Sequence, residues 1–99
     1  MNYNFEWDPD KAKKNQIKHK ISFERSATIF NDPNTLSIYD NEHSINEDRW
    51  ISLGIDNGGV LIVVCHTFVQ IDDNNISIRI ISARKANKKE INQYKELPL

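Results

Sequence analysis

Residues 49–83 constrain the fold of this 99-residue chain more than any other part of it. Runs rich in apolar and β-branched residues cover 50–55, 60–71 and 76–83, and short polar segments rich in Asn, Asp and Gly separate them. Runs of this length, bounded by turn residues, are typical of β-strands. The dipeptide Asn57-Gly58 between the first two runs is favoured by a two-residue hairpin turn. The sequence therefore predicts three antiparallel strands in this half of the chain.

The N-terminal part predicts a strand followed by two helices. Aromatic residues alternate with polar ones over residues 3–7, which is the period of a half-buried strand. Asp8 and Pro9 provide an N-cap and a first-turn proline, so we expect a helix over residues 10–19. Ser22 can cap a second helix, in which apolar residues recur at i, i+4 and i+7.

The remaining segments complete an α+β pattern. A weak alternation over residues 36–39 predicts a short strand, and the acidic residues 40–48 predict an exposed, mobile loop that lies away from any nucleic-acid surface. Asn87 and Glu90 have the spacing of a capping box, so we expect a C-terminal helix. The order β-α-α-β-β-β-β-α predicts one α+β domain over residues 1–99, with an antiparallel sheet of about four to five strands, two N-terminal helices and one C-terminal helix.

Charge is distributed unevenly along the chain, although the formal net charge is only −1. Residues 1–20 carry a net charge of +2, residues 21–75 carry −7 and residues 76–99 carry +4. A basic C-terminal segment favours a local contact with an anionic partner such as nucleic acid. The alternative is that these lysines only solvate the surface of a helix.

Several classes of protein do not fit this sequence. No apolar run approaches the ~20 residues that span a bilayer, and the N-terminus lacks the basic region and apolar core of a secretory signal. A single cysteine, Cys65, excludes an internal disulfide and a multi-cysteine zinc site. The three histidines do not have the short spacing of zinc ligands. We therefore expect a cytoplasmic protein with no membrane segment, no metal and no other cofactor.

The predicted hairpins bring distant polar residues together. A two-residue turn at Asn57-Gly58 places Arg49 opposite His66, and a turn centred on residues 73–74 places Arg79 on the same face. Two arginines can neutralise a phosphate, while a histidine can act as acid or base near neutral pH. A bulge or a three-residue loop would change the parity of one hairpin and send one of these side chains to the opposite face.

Structural explanations compete with each of these assignments. His66 can be a hydrogen-bonded histidine of the core, and Arg79 can form a salt bridge with the acidic loop. His19 shares a helix face with Asn15, where it can pack on the sheet or compensate the helix dipole. Cys65 lies in an apolar run, where thiols are usually inert as nucleophiles.

Motifs near both ends of the chain resemble those of the BrnT toxin family. The N-terminal motifs are Phe5-Glu6-Trp7-Asp8-Pro9, Lys18-His19 and Ser22-Phe23-Glu24. The C-terminal motif is the run I-I-S-A-R-K-A at residues 80–86, followed by a charged helix that ends near Tyr94. The resemblance extends over nearly the whole chain. Lys20 departs from it, because a glycine commonly follows Lys-His in the family.

This resemblance implies a RelE-like fold and a type II toxin that inhibits translation and growth as a metal-independent endoribonuclease. It also implies a DNA-binding BrnA-type antitoxin as partner, and a toxin–antitoxin complex on its own promoter DNA. The expected catalytic residues are His66, Arg79, Arg49 and Arg84. The expected RNA-binding residues are His19, Lys85, Lys88, Lys89, Trp50 and Tyr94. The alternative function is a non-catalytic module that binds nucleic acid or protein.

Overall fold

The computed structural model describes residues 1–96, which form the predicted succession of helices and strands. The elements are β1 (Asn2–Trp7), α1 (Pro9–His19), α2 (Phe23–Ala27), a 3₁₀ helix (Thr28–Asn31), β2 (Leu36–Tyr39), β3 (Arg49–Ile55), β4 (Leu61–Thr67), β5 (Val69–Gln70), β6 (Asn75–Lys85) and α3 (Lys88–Lys95). The α+β class is confirmed. The 3₁₀ helix and the two-residue strand β5 are additions to the predicted order.

The predicted helix caps are present. The Asp8 carboxylate accepts hydrogen bonds from two backbone N–H groups of the first turn of α1, at 2.8 and 3.4 Å. The Ser22 hydroxyl accepts the Arg25 N–H at 3.1 Å, and Asn87 and Glu90 form a complete capping box. Lys20 ends α1 in the left-handed region, with φ at 61°. The sharp turn after the first helix therefore forms without the glycine that usually favours this conformation.

The strands form one sheet in the order β1-β6-β4-β3-β2, and β5 pairs separately with β6. The pairs between β2, β3, β4 and β6 are antiparallel, whereas β1 runs parallel to β6. The prediction of an antiparallel sheet is wrong for this one pair. After β1 the chain crosses through α1 and α2 to the far edge of the sheet, where β2 lies. The following strands lead back across the sheet to β6, which runs in the same direction as β1.

The hydrophobic core lies between the N-terminal helices and one face of the sheet, here called the helix side. Its buried members are Ile21, Phe23, Ile29, Ile62, Val64, Ile76, Ile78, Ile80 and Ala83. Full burial of one such large side chain contributes about 1.5–3 kcal/mol. Within residues 1–96, α3 lies over the opposite face, here called the open face, near Ile51, Leu53 and Val63. No helix in residues 1–96 is long and apolar enough to cross a membrane.

Asn15 is a buried polar residue that joins α1 to the sheet. Its Nδ2 donates to the Ile21 carbonyl and its Oδ1 accepts the Ala83 N–H, both at 3.0 Å. We predict that Asn15→Leu lowers the free energy of unfolding by about 2–4 kcal/mol, because a buried carbonyl and a buried N–H both lose their partner. Urea denaturation measures this change. The control is Gln16→Leu on the exposed side of the same helix, and equal stability of the two variants would contradict the prediction.

Candidate active site on the open face of the sheet

The hairpin between β3 and β4 differs by one residue from the predicted register. Trp50 pairs with His66, and Arg49 pairs with Thr67. The loop holds three residues instead of two, and Gly59 at its end has a left-handed φ of 81°. Because neighbouring residues of a strand point to opposite faces, this shift places Arg49 and His66 on different faces. The predicted convergence of His66 with Arg49 is therefore wrong.

A β-bulge produces a second shift of one residue between β4 and β6. The strands keep the predicted register as far as Cys65, which pairs with Ser82. His66 then pairs with Ile80, so Ile81 is an extra residue in β6. The longer loop reverses the faces of β3 relative to β4, and the bulge reverses the faces of the β6 residues before Ile81 relative to β4. The two reversals cancel for β3 and β6, so Arg49 and Arg79 remain on one face as predicted.

A row of polar side chains crosses the open face as a result. Arg49 on β3 lies opposite Thr67 on β4. The Thr67 hydroxyl oxygen accepts the backbone N–H of Arg79 at 2.9 Å, and Arg79 lies beside Glu6 of β1. The two arginines that the sequence predicted to act together are therefore brought to the same end of the same face.

Glu47 joins these two arginines. Its Oε1 accepts a hydrogen bond from Arg49 Nη2 at 3.4 Å and forms a closer ion pair with Arg79 Nη2. About one third of each side chain is exposed: 31% for Arg49, 37% for Arg79 and 35% for Glu47. The hydrogen bond from Arg79, together with the charges of both arginines, lowers the pKa of Glu47. Glu47 is therefore an ionised carboxylate at neutral pH, held between two guanidinium groups that remain accessible.

The loop that carries Glu47 is tied to the start of β3. The Ser44 hydroxyl accepts the Arg49 N–H at 2.9 Å and donates to the Asp40 carbonyl at 2.6 Å. The Tyr39 hydroxyl donates to Asp48 at 2.8 Å. This acidic loop was expected to lie away from the nucleic-acid-binding surface, but its Glu47 contacts the two predicted arginines on the open face. No sequence signal marks Glu47, since nothing in an acidic loop distinguishes the carboxylate that reaches the arginines.

His66 is a buried residue on the helix side. Its ring is 1% exposed and packs edge-on against Phe30, with the ring centroids 4.9 Å apart. Nδ1 lies 2.9 Å from the Thr67 carbonyl oxygen and Nε2 lies 2.6 Å from the Ser52 hydroxyl oxygen. Burial lowers the pKa of His66, so the ring is neutral at physiological pH. This is the hydrogen-bonded core histidine that the sequence left open, and it does not reach the open face.

Arg84 and Tyr94 hold α3 in place. Arg84 donates to both carboxylate oxygens of Glu90, at 2.8 and 2.9 Å, and this ion pair raises the pKa of Arg84 and lowers that of Glu90. The Tyr94 hydroxyl donates to Asp32 at 2.6 Å. Burial and this hydrogen bond raise the pKa of Tyr94 to about 12. Both residues were predicted to handle RNA, and the structure engages both of them in attaching the C-terminal helix.

The other predicted RNA-binding residues are dispersed. His19 lines a shallow basic depression with Lys11, Lys14 and Lys18, between α1 and β6. Trp50 faces the helix side, while Lys85, Lys88 and Lys89 are exposed near the start of α3. Within residues 1–96, no three His, Cys, Asp or Glu side chains are grouped closely enough to hold a metal ion. Of the predicted catalytic residues, the structure brings only Arg49 and Arg79 together.

Comparison with known proteins adds two findings. A family model described as the ribonuclease toxin BrnT of a type II toxin–antitoxin system matches residues 7–90. The crystal structure of the Brucella abortus ribonuclease toxin BrnT matches with a TM-score of 0.58 and 21% sequence identity. That match covers 89% of this chain and 100% of the Brucella chain, which shows a shared fold. A search of curated proteins finds no match.

Proposed function

Because this chain belongs to the BrnT family of ribonuclease toxins of type II toxin–antitoxin systems, we propose that it cleaves RNA at the open face of the sheet, between Arg49 and Arg79. One observation carries this location: two guanidinium groups converge on the single carboxylate of Glu47. Guanidinium groups bind carboxylates and phosphates through the same N–H···O geometry. A phosphodiester therefore suits the position beside the Glu47 carboxylate, where the arginine N–H groups that Glu47 does not use can bind it.

The arginines supply the electrostatic part of the reaction. When the 2′-hydroxyl oxygen of a ribose attacks the adjacent phosphorus, negative charge grows on the non-bridging oxygens of the pentacoordinate transition state. Positive groups held in advance at that position stabilise the transition state more than the substrate. Arg49 also has a buried Nε without a hydrogen-bond partner in the described structure, so the site holds donor capacity that Glu47 does not use.

Glu47 supplies the base in this proposal. Among residues 1–96 it is the carboxylate that contacts both arginines, and its lowered pKa keeps it ionised at neutral pH. Glu47 takes the proton of the 2′-hydroxyl, the 2′-oxygen forms a bond to phosphorus, and the bond from phosphorus to the 5′-oxygen breaks. The leaving 5′-oxygen takes a proton from water. The products are a 2′,3′-cyclic phosphate and a 5′-hydroxyl end, and no step calls for a metal ion.

The test is cleavage of a 5′-labelled RNA by the purified protein in excess EDTA. We expect full activity and fragments that end in a 2′,3′-cyclic phosphate, which acid converts to a mixture of 2′- and 3′-phosphates. Loss of cleavage in EDTA with recovery on adding Mg²⁺ would contradict the metal-independent mechanism. Retention of the RNA without new ends would favour a binding module instead of a nuclease.

A type II system implies an antitoxin that binds this protein. We infer that this partner is a BrnA-type, DNA-binding protein, that the complex binds its own promoter DNA, and that the toxin acts on cytoplasmic RNA. Co-expression with the neighbouring open reading frame should restore the growth that the toxin alone arrests.

A further inference from the structure

A cavity lies on the helix side of the sheet, and the proposed cleavage reaction does not use it. Its volume is about 320 Å³, within the range of small-molecule sites. Five aromatic rings line it, those of Tyr3, Phe30, Trp50, His66 and Phe68. Tyr3 and Phe68 are 43% and 39% exposed, so the cavity is open to solvent. Its shape and lining suit a flat ring that stacks on aromatic side chains.

A chain of hydrogen bonds beneath this cavity links Ser37, Ser52 and His66, and the donor of each bond is fixed. The Thr67 carbonyl oxygen can only accept, so the proton of the neutral His66 ring is on Nδ1, and Nε2 is an acceptor. The Ser52 hydroxyl must then donate to Nε2, at 2.6 Å. The Ser37 hydroxyl, 2.6 Å from that of Ser52, must donate to Ser52 in turn. Ser37 is exposed at the cavity wall and has only acceptor capacity left to offer a ligand.

The other polar groups of the wall are acceptors as well. The Thr35 hydroxyl donates its proton to the Ile29 carbonyl at 2.8 Å, which leaves only its lone pairs free. Burial opposes the ionisation of Asp32, but hydrogen bonds from Tyr94, Ile55 and Asn34 outweigh it and lower the pKa of Asp32. A wall of acceptors with a negative charge repels a phosphate and attracts N–H groups.

We propose that this cavity binds one unpaired nucleobase of the RNA substrate, with guanine preferred. Stacking between aromatic side chains holds any base, whereas the acceptors select the one whose edge donates most. Guanine offers an imino N–H beside an amino group on one edge. Uracil offers a single imino N–H between two carbonyl acceptors, which the Ser37 and Thr35 oxygens repel.

Residues of the cavity are sequence neighbours of residues at the proposed cleavage site. Trp50 directly follows Arg49 in β3, and Phe68 directly follows Thr67, which lies between the two arginines. The cavity and the arginines thus occupy opposite faces at the same end of the sheet. The role of the cavity in cleavage rests on the proposed function, whereas base binding by itself does not.

The test uses nucleosides, which carry no phosphate and so do not need the arginines. Guanosine, inosine, 1-methylguanosine and uridine are titrated separately into the ¹⁵N-labelled protein, and NMR follows the indole N–H signals of Trp50 and Trp7. Trp7 packs against Phe23 in the core and serves as an internal control. We expect guanosine to shift the Trp50 signal and not that of Trp7. Loss of the amino group should weaken binding about tenfold for inosine. Binding should be weaker still for 1-methylguanosine, in which a methyl group replaces the imino proton, and for uridine, whose carbonyl groups face the acceptors.

Variants locate the selectivity. Ser37→Ala should bind guanosine about five- to tenfold more weakly and uridine somewhat more tightly than the wild type, because the lost oxygen accepts from guanine and repels a uracil carbonyl. The matched control is Ser77→Ala on the open face of β6, which should bind all four nucleosides like the wild type. Equal affinity for guanosine and uridine, or shifts that spare Trp50, would overturn the proposal.

A cleavage assay separates the two proposals. In RNA whose guanosines are replaced by inosine, we expect cleavage about tenfold slower with the same end groups. Cleavage without nucleoside binding at Trp50 would overturn the base site and leave the proposed function intact. Guanosine binding by a protein that does not cleave RNA at the arginines would overturn the proposed function and leave base recognition standing.

Discussion

Replacement of Arg79 by alanine is expected to lower the rate of RNA cleavage by about 10²–10³-fold, the effect of removing one positioned donor from a charged transition state. Arg79 forms the closer of the two ion pairs with Glu47, and its backbone is fixed by Thr67 in the middle of the sheet. Single-turnover cleavage of a labelled RNA, with saturating protein, measures the change in the chemical step.

Two further variants separate the loss of the paired guanidinium N–H donors from the loss of a positive charge. Arg79→Lys keeps the charge but not the paired donors, so we expect an intermediate rate. Lys13→Ala removes one positive charge from an exposed position on α1 and should cleave at the wild-type rate. If a folded Arg79→Ala variant cleaves as fast as Lys13→Ala, the open face is not the site of cleavage.

Replacement of Glu47 by glutamine is expected to separate binding from chemistry. Removal of the proton acceptor should lower kcat by about 10²–10⁴-fold. RNA affinity should rise severalfold, because the negative charge beside the bound phosphate is removed. Binding assays and single-turnover rates, measured side by side, detect the opposite directions of the two effects.

The pH dependence provides a second readout for Glu47. Its pKa is lowered by Arg79, so the carboxylate is ionised above that value and becomes protonated only as the pH falls through it. The wild-type rate should therefore fall in acid below the ordinary range of a glutamate, and this acid limb should vanish in Glu47→Gln. The control is Glu42→Gln, an exposed acid of the same loop. If Glu47→Gln weakens RNA binding, Glu47 only positions the arginines and is not the base.

Local signals predicted the elements well because each depends on residues close in sequence. The Asp8 cap, the Ser22 cap and the box of Asn87 with Glu90 all appear where the sequence places them. Each cap satisfies backbone N–H groups within three residues of itself, so no distant part of the chain is needed to decide it. The motifs at both ends of the chain identified the family in the same way.

Local sequence patterns could not predict which side chains meet on the open face. Arg49 and Arg79 were expected to lie together, and they do, although His66 was expected beside them and lies on the other face. The added loop residue moves Arg49 to the face opposite His66, and the bulge moves Arg79 to the face opposite His66. The two arginines therefore still share a face, and His66 is on the other one. Glu47 enters only because hydrogen bonds of Ser44 bring its loop back to β3.

The sequence by itself determined the order of helices and strands, the family, and the presence of two arginines suited to a phosphate. Only the tertiary structure decided that β1 runs parallel to β6, that Glu47 lies between the arginines, and that His66 is buried and neutral in the core. The physical reason is that a strand has a period of two residues. A single residue at a turn or a bulge then exchanges the faces, and the choice depends on hydrogen bonds and packing between distant strands.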